Sequence, residues 1–123
     1  MQPDYHDETS GCLRVSEMLG RIANKWTLLI VRELGDGPKR FNALRRDIGD
    51  ISQKMLSSTL KTLERDGIII RDVTPTTPPQ VEYSLTPLGR DMQAPVNALA
   101  EWAMRNADTM DASRNRFDMR NHA

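Results

Sequence analysis

Between Ser52 and Gly67 the apolar residues recur with the period of an α-helix. Leu56, Leu60 and Leu63 follow the spacing i, i+4, i+7, which places them on one face. Ser52 is a favourable N-cap, because its hydroxyl can accept a hydrogen bond from an amide of the first turn. Gly67 suits the left-handed residue that closes a helix. The stretch therefore predicts an amphipathic helix with both ends marked.

The opposite face of this helix is basic and carries short polar side chains. Lys54, Ser58, Lys61 and Arg65 follow the helical period on it, with Gln53 and Ser57 beside them. Serine and glutamine donate and accept hydrogen bonds, and lysine can reach a phosphate or a guanine edge, as a helix in a DNA major groove must. A solvated surface helix would show the same pattern, so this face alone leaves both interpretations open.

Helical patterns also precede this stretch. Residues 1–10 are polar and predict a flexible segment, and the first helical pattern follows Cys12 with an apolar face of Val15, Met18, Leu19 and Ile22. A second helix, residues 25–34, has Asn24 as its expected N-cap and Gly35 at its end. Apolar residues lie nearly all round it, so we expect it at the centre of the fold.

A short third helix, for which Asn42 is the expected N-cap, carries Leu44 and Ile48 inward. A tight turn with Gly49 joins it to the helix that begins after Ser52. Helix, short turn with glycine, helix is the arrangement of a helix-turn-helix motif. The first of the two helices would brace the second, and the second would read the DNA.

Beyond Gly67 the period changes from helical to strand-like. Residues 68–73 and the alternating run 81–85 predict two strands, and the loop 74–80 between them contains three prolines. A two-stranded hairpin directly after a helix-turn-helix is the wing of a winged helix, and this order favours DNA binding. The predicted fold is therefore α+β and mostly α, with a two-stranded β wing.

Thr86 and Pro87 are the expected N-cap and first residue of a last helix, which Pro95 is predicted to kink or break. One stripe of this helix consists of Leu88, Met92, Val96, Leu99 and Ala103, with Trp102 beside it. A small wing domain cannot cover so much apolar surface. We therefore expect the first and last helices to form a dimer interface, the alternative being that both fold back on their own core.

The length of 123 residues supports a single domain, which we place at residues 11–105, followed by a polar tail at 106–123 that either extends the last helix or frays. The net charge is zero, but residues 37–71 contain eight basic and four acidic residues, a local balance of +4. The rest of the chain therefore carries a net charge of −4. A basic middle attracts a polyanion even when the whole molecule is neutral.

Other chemistry is not indicated by the sequence. The two histidines, His6 and His122, lie in the two tails, no group of residues has metal-ligand spacing, and no glycine-rich phosphate loop is present. We expect no cofactor and no enzymatic activity. No apolar run approaches the ~20 residues of a membrane span, and the polar N-terminus is unlike a signal peptide, so we expect a cytoplasmic protein.

Several motifs in order give the chain a family resemblance. They are NKWTLLIVREL at 24–34, RFNALRR at 40–46, ISQKML at 51–56, LERDG at 63–67 and PPQVEYSLTPLG at 78–89. From Cys12 to about Trp102 the chain resembles the HxlR family of bacterial transcriptional regulators. The resemblance implies a homodimer that binds a palindromic or repeated operator in double-stranded DNA and regulates nearby genes, with repression the expected mode. A winged-helix module that binds protein instead of DNA is the alternative.

Further candidate DNA contacts lie outside the reading face. Lys39, Arg40 and Arg46 are expected at phosphates, and Thr76, Thr77 and Gln80 at the wing tip are expected at the minor groove or its walls. Arg71 is expected to do the same, or to pair with Asp72 or Glu82. For Arg45 and Arg65 we expect structural roles.

Cys12 is the only cysteine, which excludes an internal disulfide. Some members of the resembled family sense oxidants or electrophiles through a cysteine at this place, although many have proline where this chain has Leu13. A thiolate at a helix start is stabilised by the helix dipole, which favours a sensor; a packed residue is the other interpretation. A small apolar effector between the dimer helices, near Trp26 and Trp102, is also open.

Overall fold

The computed structural model describes residues 3–122, with side chains described from Gly11 onward. In this part of the chain the elements are α1 (Pro3–Ile22), α2 (Lys25–Leu34), β1 (Lys39–Arg40), α3 (Phe41–Ile48), α4 (Gln53–Arg65), β2 (Ile69–Thr74), β3 (Gln80–Leu85) and α5 (Pro87–His122). The predicted class, a mainly helical winged helix-turn-helix, is confirmed.

The core forms around α2, as its apolar sequence predicted. Ile30, Val31 and Leu34 of this helix have no exposed surface, and the buried residues of the other elements close around them. Those residues are Leu44, Ile51, Leu56, Leu60, Leu63, Ile68, Ile69, Leu85 and Val96. Each buried leucine or isoleucine contributes about 1.5–3 kcal/mol relative to leaving it exposed. The apolar stripe of α4 is therefore fixed inward, and its polar face must point outward.

The predicted helix starts are confirmed by hydrogen bonds of the capping side chains. The Asn24 side chain accepts from the Thr27 amide at 3.0 Å, and the Ser52 hydroxyl accepts from the Met55 amide at 3.0 Å. Thr86 caps α5 in the same way, because its hydroxyl accepts from the Gly89 amide at 3.1 Å.

The end of α4 is closed by Gly67, which has a φ of +78°. The Gly67 amide donates to the Glu64 carbonyl at 3.1 Å, and the Ile68 amide donates to the Leu63 carbonyl at 2.9 Å. These two bonds are the Schellman pattern, which satisfies carbonyls that the helix end leaves free. The chain leaves α4 in a fixed direction and enters β2 directly.

The sheet has three antiparallel strands in the order β1-β3-β2, whereas the sequence predicted two. The third strand, β1, has only two residues and pairs Lys39 with Tyr83 and Arg40 with Glu82. Two charged residues are too few to show an alternation of apolar and polar positions, which is why the sequence pattern did not predict this strand. The expected N-cap at Asn42 is wrong for the same reason: α3 begins at Phe41, directly after the extended Arg40.

The structure also differs from the expectations at the N-terminus. Because α1 begins at Pro3, residues 3–10 are helical, and the prediction that a helix starts after Cys12 is wrong. Proline and acidic residues are favourable in a first helical turn, and Pro3 with Asp4 supplies both. Cys12 lies nine residues into the helix, about 13 Å along its axis, so the helix-terminus argument for its thiolate does not apply.

The last helix runs unbroken from Pro87 to His122, past Pro95. The predicted break is therefore wrong, and the tail extends the helix through residue 122. A proline inside a helix removes one hydrogen bond. Here Met92 and Val96 pack against the core on either side of Pro95, which keeps the residues on both sides of Pro95 helical.

The apolar faces of α1 and α5 are largely exposed in the single chain. About half or more of the side-chain surface is exposed at Leu13, Val15, Met18, Leu19, Leu88, Leu99, Trp102, Met104, Met110, Phe117 and Met119. Among the side chains that the structure describes, Ile22, Met92 and Val96 of the two helices belong to the apolar residues packed in or on the core, so the fold-back alternative holds for this part of the two helices. Between residues 3 and 122, no helix combines the length and the apolarity that crossing a membrane requires.

Candidate nucleic-acid interface

The turn between α3 and α4 sets the angle at which α4 leaves the domain. Gly49 has a φ of +99°, a backbone conformation that residues with a side chain rarely adopt. Ile51, shortly before α4, is buried in the core. The Arg45 guanidinium donates to the Ile51 carbonyl at 3.3 Å, which confirms the structural role expected of this arginine.

The predicted reading residues share one exposed face of α4. Gln53, Lys54, Ser57, Ser58 and Lys61 are all exposed, while the leucines on the other side of the same helix are buried. No carboxylate of the described chain forms an ion pair with Lys54 or Lys61. The face therefore offers two free ammonium groups and three short polar side chains on a helix whose other side is anchored in the core.

The wing lies directly beside this face. A polar cavity of about 320 Å³ between α4 and the strands is lined by residues of both, namely Ser57, Leu60, Lys61, Glu64, Arg71 and Tyr83. Arg71 stands opposite Tyr83 in the β2–β3 ladder and makes no ion pair with Asp72 or Glu82. Of the two roles considered for Arg71, this placement favours the one beside the reading face.

Tyr83 was not among the candidates that the sequence supplied. In the alternating run 81–85 it falls on the apolar side, so the pattern assigns it to the core. The structure leaves Tyr83 half-buried at the edge of the polar cavity. A tyrosine in a strand next to a basic helix could have been flagged, because tyrosine combines an apolar ring with a polar tip.

Arg40 and Gln80 contact each other. The Arg40 guanidinium donates to the Gln80 side-chain oxygen at 2.6 Å, which ties the start of α3 to the start of β3. Both side chains are exposed, so the remaining donors of Arg40 face solvent. The pair positions the start of β3, next to the wing tip, and still presents a positive charge there.

The expected phosphate contact of Lys39 is not favoured by the structure. Its ammonium donates to Asp47 at 2.7 Å and to Glu33 at 3.2 Å, and only 19% of its side chain is exposed. The hydrogen bond to Asp47 raises the pKa of Lys39, and the same bond lowers the pKa of Asp47. Lys39 therefore holds α2 and α3 together, whereas Arg46 on α3 remains exposed.

At the wing tip the two threonines differ. The Thr76 hydroxyl donates to the Pro78 carbonyl at 2.8 Å, and its amide donates to the Thr74 carbonyl at 2.8 Å, so Thr76 shapes the loop. Thr77 is exposed beside it, and no side-chain hydrogen bond of the described chain occupies its hydroxyl. Thr77 is thus the freer of the two predicted contacts.

The remaining candidates lie away from this interface. Cys12 is exposed on α1, next to Val15 and Leu19. Trp26 packs half-buried against the core with the Lys25 ammonium 4.4 Å from its ring centre, and Trp102 is about half exposed on α5. Among the described residues, no three His, Cys, Asp or Glu side chains are grouped as a metal site would need.

Comparison with known proteins agrees with this arrangement. The profile of the HxlR-like helix-turn-helix family matches residues 21–111. The HTH-type transcriptional regulator YtfH of Escherichia coli, itself described as uncharacterized, is 47% identical over 90 residues, which cover 73% of this chain and 71% of YtfH.

Solved structures show the same likeness. The transcriptional regulator ytfH of Salmonella typhimurium superimposes with a TM-score of 0.76 at 44% identity, over 82% of this chain and 90% of that one. The redox regulator HypR in its reduced form gives a TM-score of 0.75 at 40% identity, over 80% of this chain and 98% of HypR. HypR in its oxidised form gives a TM-score of 0.71 at 42% identity, over 76% of this chain and 96% of HypR. With the exposed polar face of α4 beside a β wing, these matches show that the chain belongs to the HxlR-like helix-turn-helix family of transcriptional regulators.

Proposed function

We propose that this protein is a homodimeric regulator that binds double-stranded operator DNA through α4 and the wing. The observation that carries the proposal is the exposed face of α4, where Lys54 and Lys61 stand free of ion pairs and Arg71 adds a charge from the wing. Base edges are read by short polar side chains, and phosphates are held by free cations.

The second half of the proposal is that two copies join through α1 and α5. Both helices leave apolar faces exposed in one chain, and such faces are the usual mark of an interaction surface. A two-fold dimer then carries two copies of α4 about one DNA turn apart, ~34 Å, which matches an operator of two half-sites.

The test measures binding to a DNA fragment from the gene's own upstream region. Fluorescence anisotropy reports the affinity at several salt concentrations. Replacing Lys54 or Lys61 by alanine should lower the salt slope by about one if a phosphate contact is lost, or cost ~1–3 kcal/mol if a base contact is lost. The matched control is Lys39→Ala, because the Lys39 ammonium already binds two carboxylates. The salt dependence of DNA binding by Lys39→Ala should therefore equal that of the wild type.

Two results would overturn the assignment. If Lys54→Ala and Lys61→Ala both bind as the wild type does, α4 does not read the DNA. If the wild type binds no upstream fragment even at low salt, where phosphate contacts are strongest, the result favours the alternative that this winged helix binds a protein instead of DNA.

A redox response through Cys12 is a second function that one observation favours. Cys12 is exposed on the α1 face that we propose lies at the partner chain. Because it is the only cysteine, a disulfide between protein thiols has to join two chains. Diamide would take up the two electrons and two protons that two Cys12 thiols release as the sulfur–sulfur bond forms.

The redox experiment compares wild type and Cys12→Ser with and without diamide. We expect diamide to change operator affinity in the wild type alone and to give a cross-linked dimer on a non-reducing gel. A change in affinity without the cross-link would point instead to a covalent adduct, formed when the Cys12 thiol adds across the nitrogen–nitrogen double bond of diamide. Equal responses of the two proteins would exclude Cys12 as the sensor.

A further inference from the structure

A second cavity lies where the end of α1, the end of α4 and the start of α5 meet. It has a volume of about 320 Å³, within the range of small-molecule sites. Ile68 is the most buried of its apolar lining residues, Ile22 and Met92 are half-buried, and Met18 and Leu88 lie at its exposed rim. An apolar body of modest size could pack against these side chains there.

Three charged side chains line the same cavity, and two of them neutralise each other. The Arg21 guanidinium donates to the Asp66 carboxylate at 3.2 Å, which forms an ion pair between α1 and the end of α4. Asp91, on the first turns of α5, forms no ion pair within the described part of the chain. The cavity therefore combines an apolar lining with one unbalanced negative charge.

The position of the cavity connects it to DNA binding. Asp66 is the residue that ends α4, and Arg21 lies in the last turn of α1, whose apolar face we assign to the dimer. Thr86 fixes the third side, because its hydroxyl donates to the Gly67 carbonyl at 2.6 Å and its amide donates to the Ile68 carbonyl at 3.1 Å. A molecule in the cavity would touch the connections between α4 and both terminal helices.

We propose that this cavity binds a small organic cation, an apolar body with one protonated amine placed at Asp91, and that its binding changes the affinity for DNA. The site is separate from Cys12, which lies two to three turns earlier in α1. The ligand class rests on the cavity alone, and only the effect on DNA rests on the proposed function.

The ligand class is tested by titration calorimetry of the full-length protein without DNA. Three probes share one body and differ in charge: naphthylethylamine, naphthylethanol and naphthylpropionate. The amine should bind about threefold more tightly than the alcohol, as a partly exposed ion pair allows, and the carboxylate should bind most weakly. Asp91→Asn should remove the difference between amine and alcohol, whereas the control Asp111→Asn, farther along α5, should keep it.

A second variant predicts a change of the opposite sign. Arg21→Gln frees the Asp66 carboxylate, so the preference for the amine over the alcohol should increase. A thermal melt of each variant shows that the protein is folded, and the alcohol, which has no charge, reports whether the cavity keeps its shape. If no probe binds to the wild type, or if amine and alcohol bind equally, the inference is overturned.

The effect on DNA is measured separately, by operator anisotropy with and without saturating naphthylethylamine. We expect the operator affinity to change about fivefold or more, and the affinity for the amine to change by the same factor when DNA is present, because coupling between two sites is reciprocal. Binding of the amine with no change in operator affinity would overturn the regulatory half. If DNA binding itself fails while the amine preference persists, the proposed function falls and the ligand site stands.

Discussion

The middle of the chain and its two terminal helices follow the same helical pattern but complete their packing differently. From α2 to the first turns of α5, the apolar stripes meet each other, and leucines such as Leu60 retain about 2% exposure. Along the described part of α1 and the outer part of α5 the stripes are mostly exposed in the same chain, and Leu99 and Phe117 are 52% and 56% exposed. The middle therefore packs as one unit, whereas the terminal helices present surfaces that need a partner.

This difference separates two roles within one small domain. The middle holds α4 and the wing in a fixed relation, through a shared core and the capped ends of α4. The terminal helices set how far apart two such middles lie, if two chains join through them. Stability of the reading unit and spacing of the reading units are then governed by different residues, which makes them separable by mutation.

The largest predicted effect contrasts a leucine from each region. Leu60→Ala should lower the free energy of unfolding by about 2–5 kcal/mol, because it opens a cavity in the shared core. Leu99→Ala should act mainly through dimer dissociation, so its loss of stability should be smallest at low protein concentration, where both proteins are monomers, and should grow to a plateau as the concentration increases. Denaturant unfolding at two concentrations distinguishes these cases. If Leu99→Ala and Leu60→Ala lower the free energy of unfolding equally at both concentrations, the two regions do not differ as we expect.

A smaller effect, of opposite sign in the two regions, is predicted for two glycines. A methyl group at Gly89 would collide with the Ile68 carbonyl and lie 3.0 Å from the Leu85 side chain, so Gly89→Ala should destabilise by about 1–3 kcal/mol. Gly20 in α1 has no atom within 4 Å of such a methyl group, and alanine is the better helix former. Gly20→Ala should therefore stabilise by about 0.5–1 kcal/mol. Thermal melts that shift in the same direction for both variants would contradict this contrast.

The smallest effect concerns the ion pair that joins α2 and α3 within the middle. Lys39 lowers the pKa of Asp47 below its ordinary value of 3.8, so this contribution to stability is present above that value and is lost as the pH falls through the lowered pKa. The raised pKa of Lys39 gives a contribution that is complete below 10.5 and is lost as the pH rises through the raised value.

Asp47→Asn should remove the titrating carboxylate that pairs with Lys39 and so flatten the acid limb of the stability curve. Denaturant midpoints measured from acid to neutral pH test this, with Asp50→Asn in the exposed turn before α4 as the control. An acid limb that is equally steep in Asp47→Asn and in the wild type would show that the pair contributes nothing to the middle.

Most of the middle could be predicted from the sequence, because its patterns are long and its ends are marked. The stripe of α4, the caps at Asn24, Ser52 and Thr86, and the closing Gly67 all follow from local rules and are confirmed. The two-residue strand β1 could not be predicted, since its only signal is pairing with β3, a contact between residues far apart in the chain.

Side-chain partners were harder to predict than elements. Lys39, Arg40 and Lys54 are alike in the sequence, but folding places two carboxylates at Lys39, Gln80 at Arg40 and none of these at Lys54. The start of α1 was missed because the polar residues 3–10 carry no apolar stripe. The unbroken course of α5 past Pro95 depends on packing against the core, which the local pattern does not contain.

The central claim, that two chains join through their terminal helices and hold two copies of α4 one DNA turn apart, can be measured directly. A single cysteine at residue 57, made by Ser57→Cys in a Cys12→Ser background, carries a nitroxide spin label on the exposed face of α4. Double electron–electron resonance at micromolar concentration should give one distance near ~34 Å, within the reach of the label linkers. An absence of dipolar coupling, or a distance far too short for two reading helices to enter successive major grooves, would contradict the account.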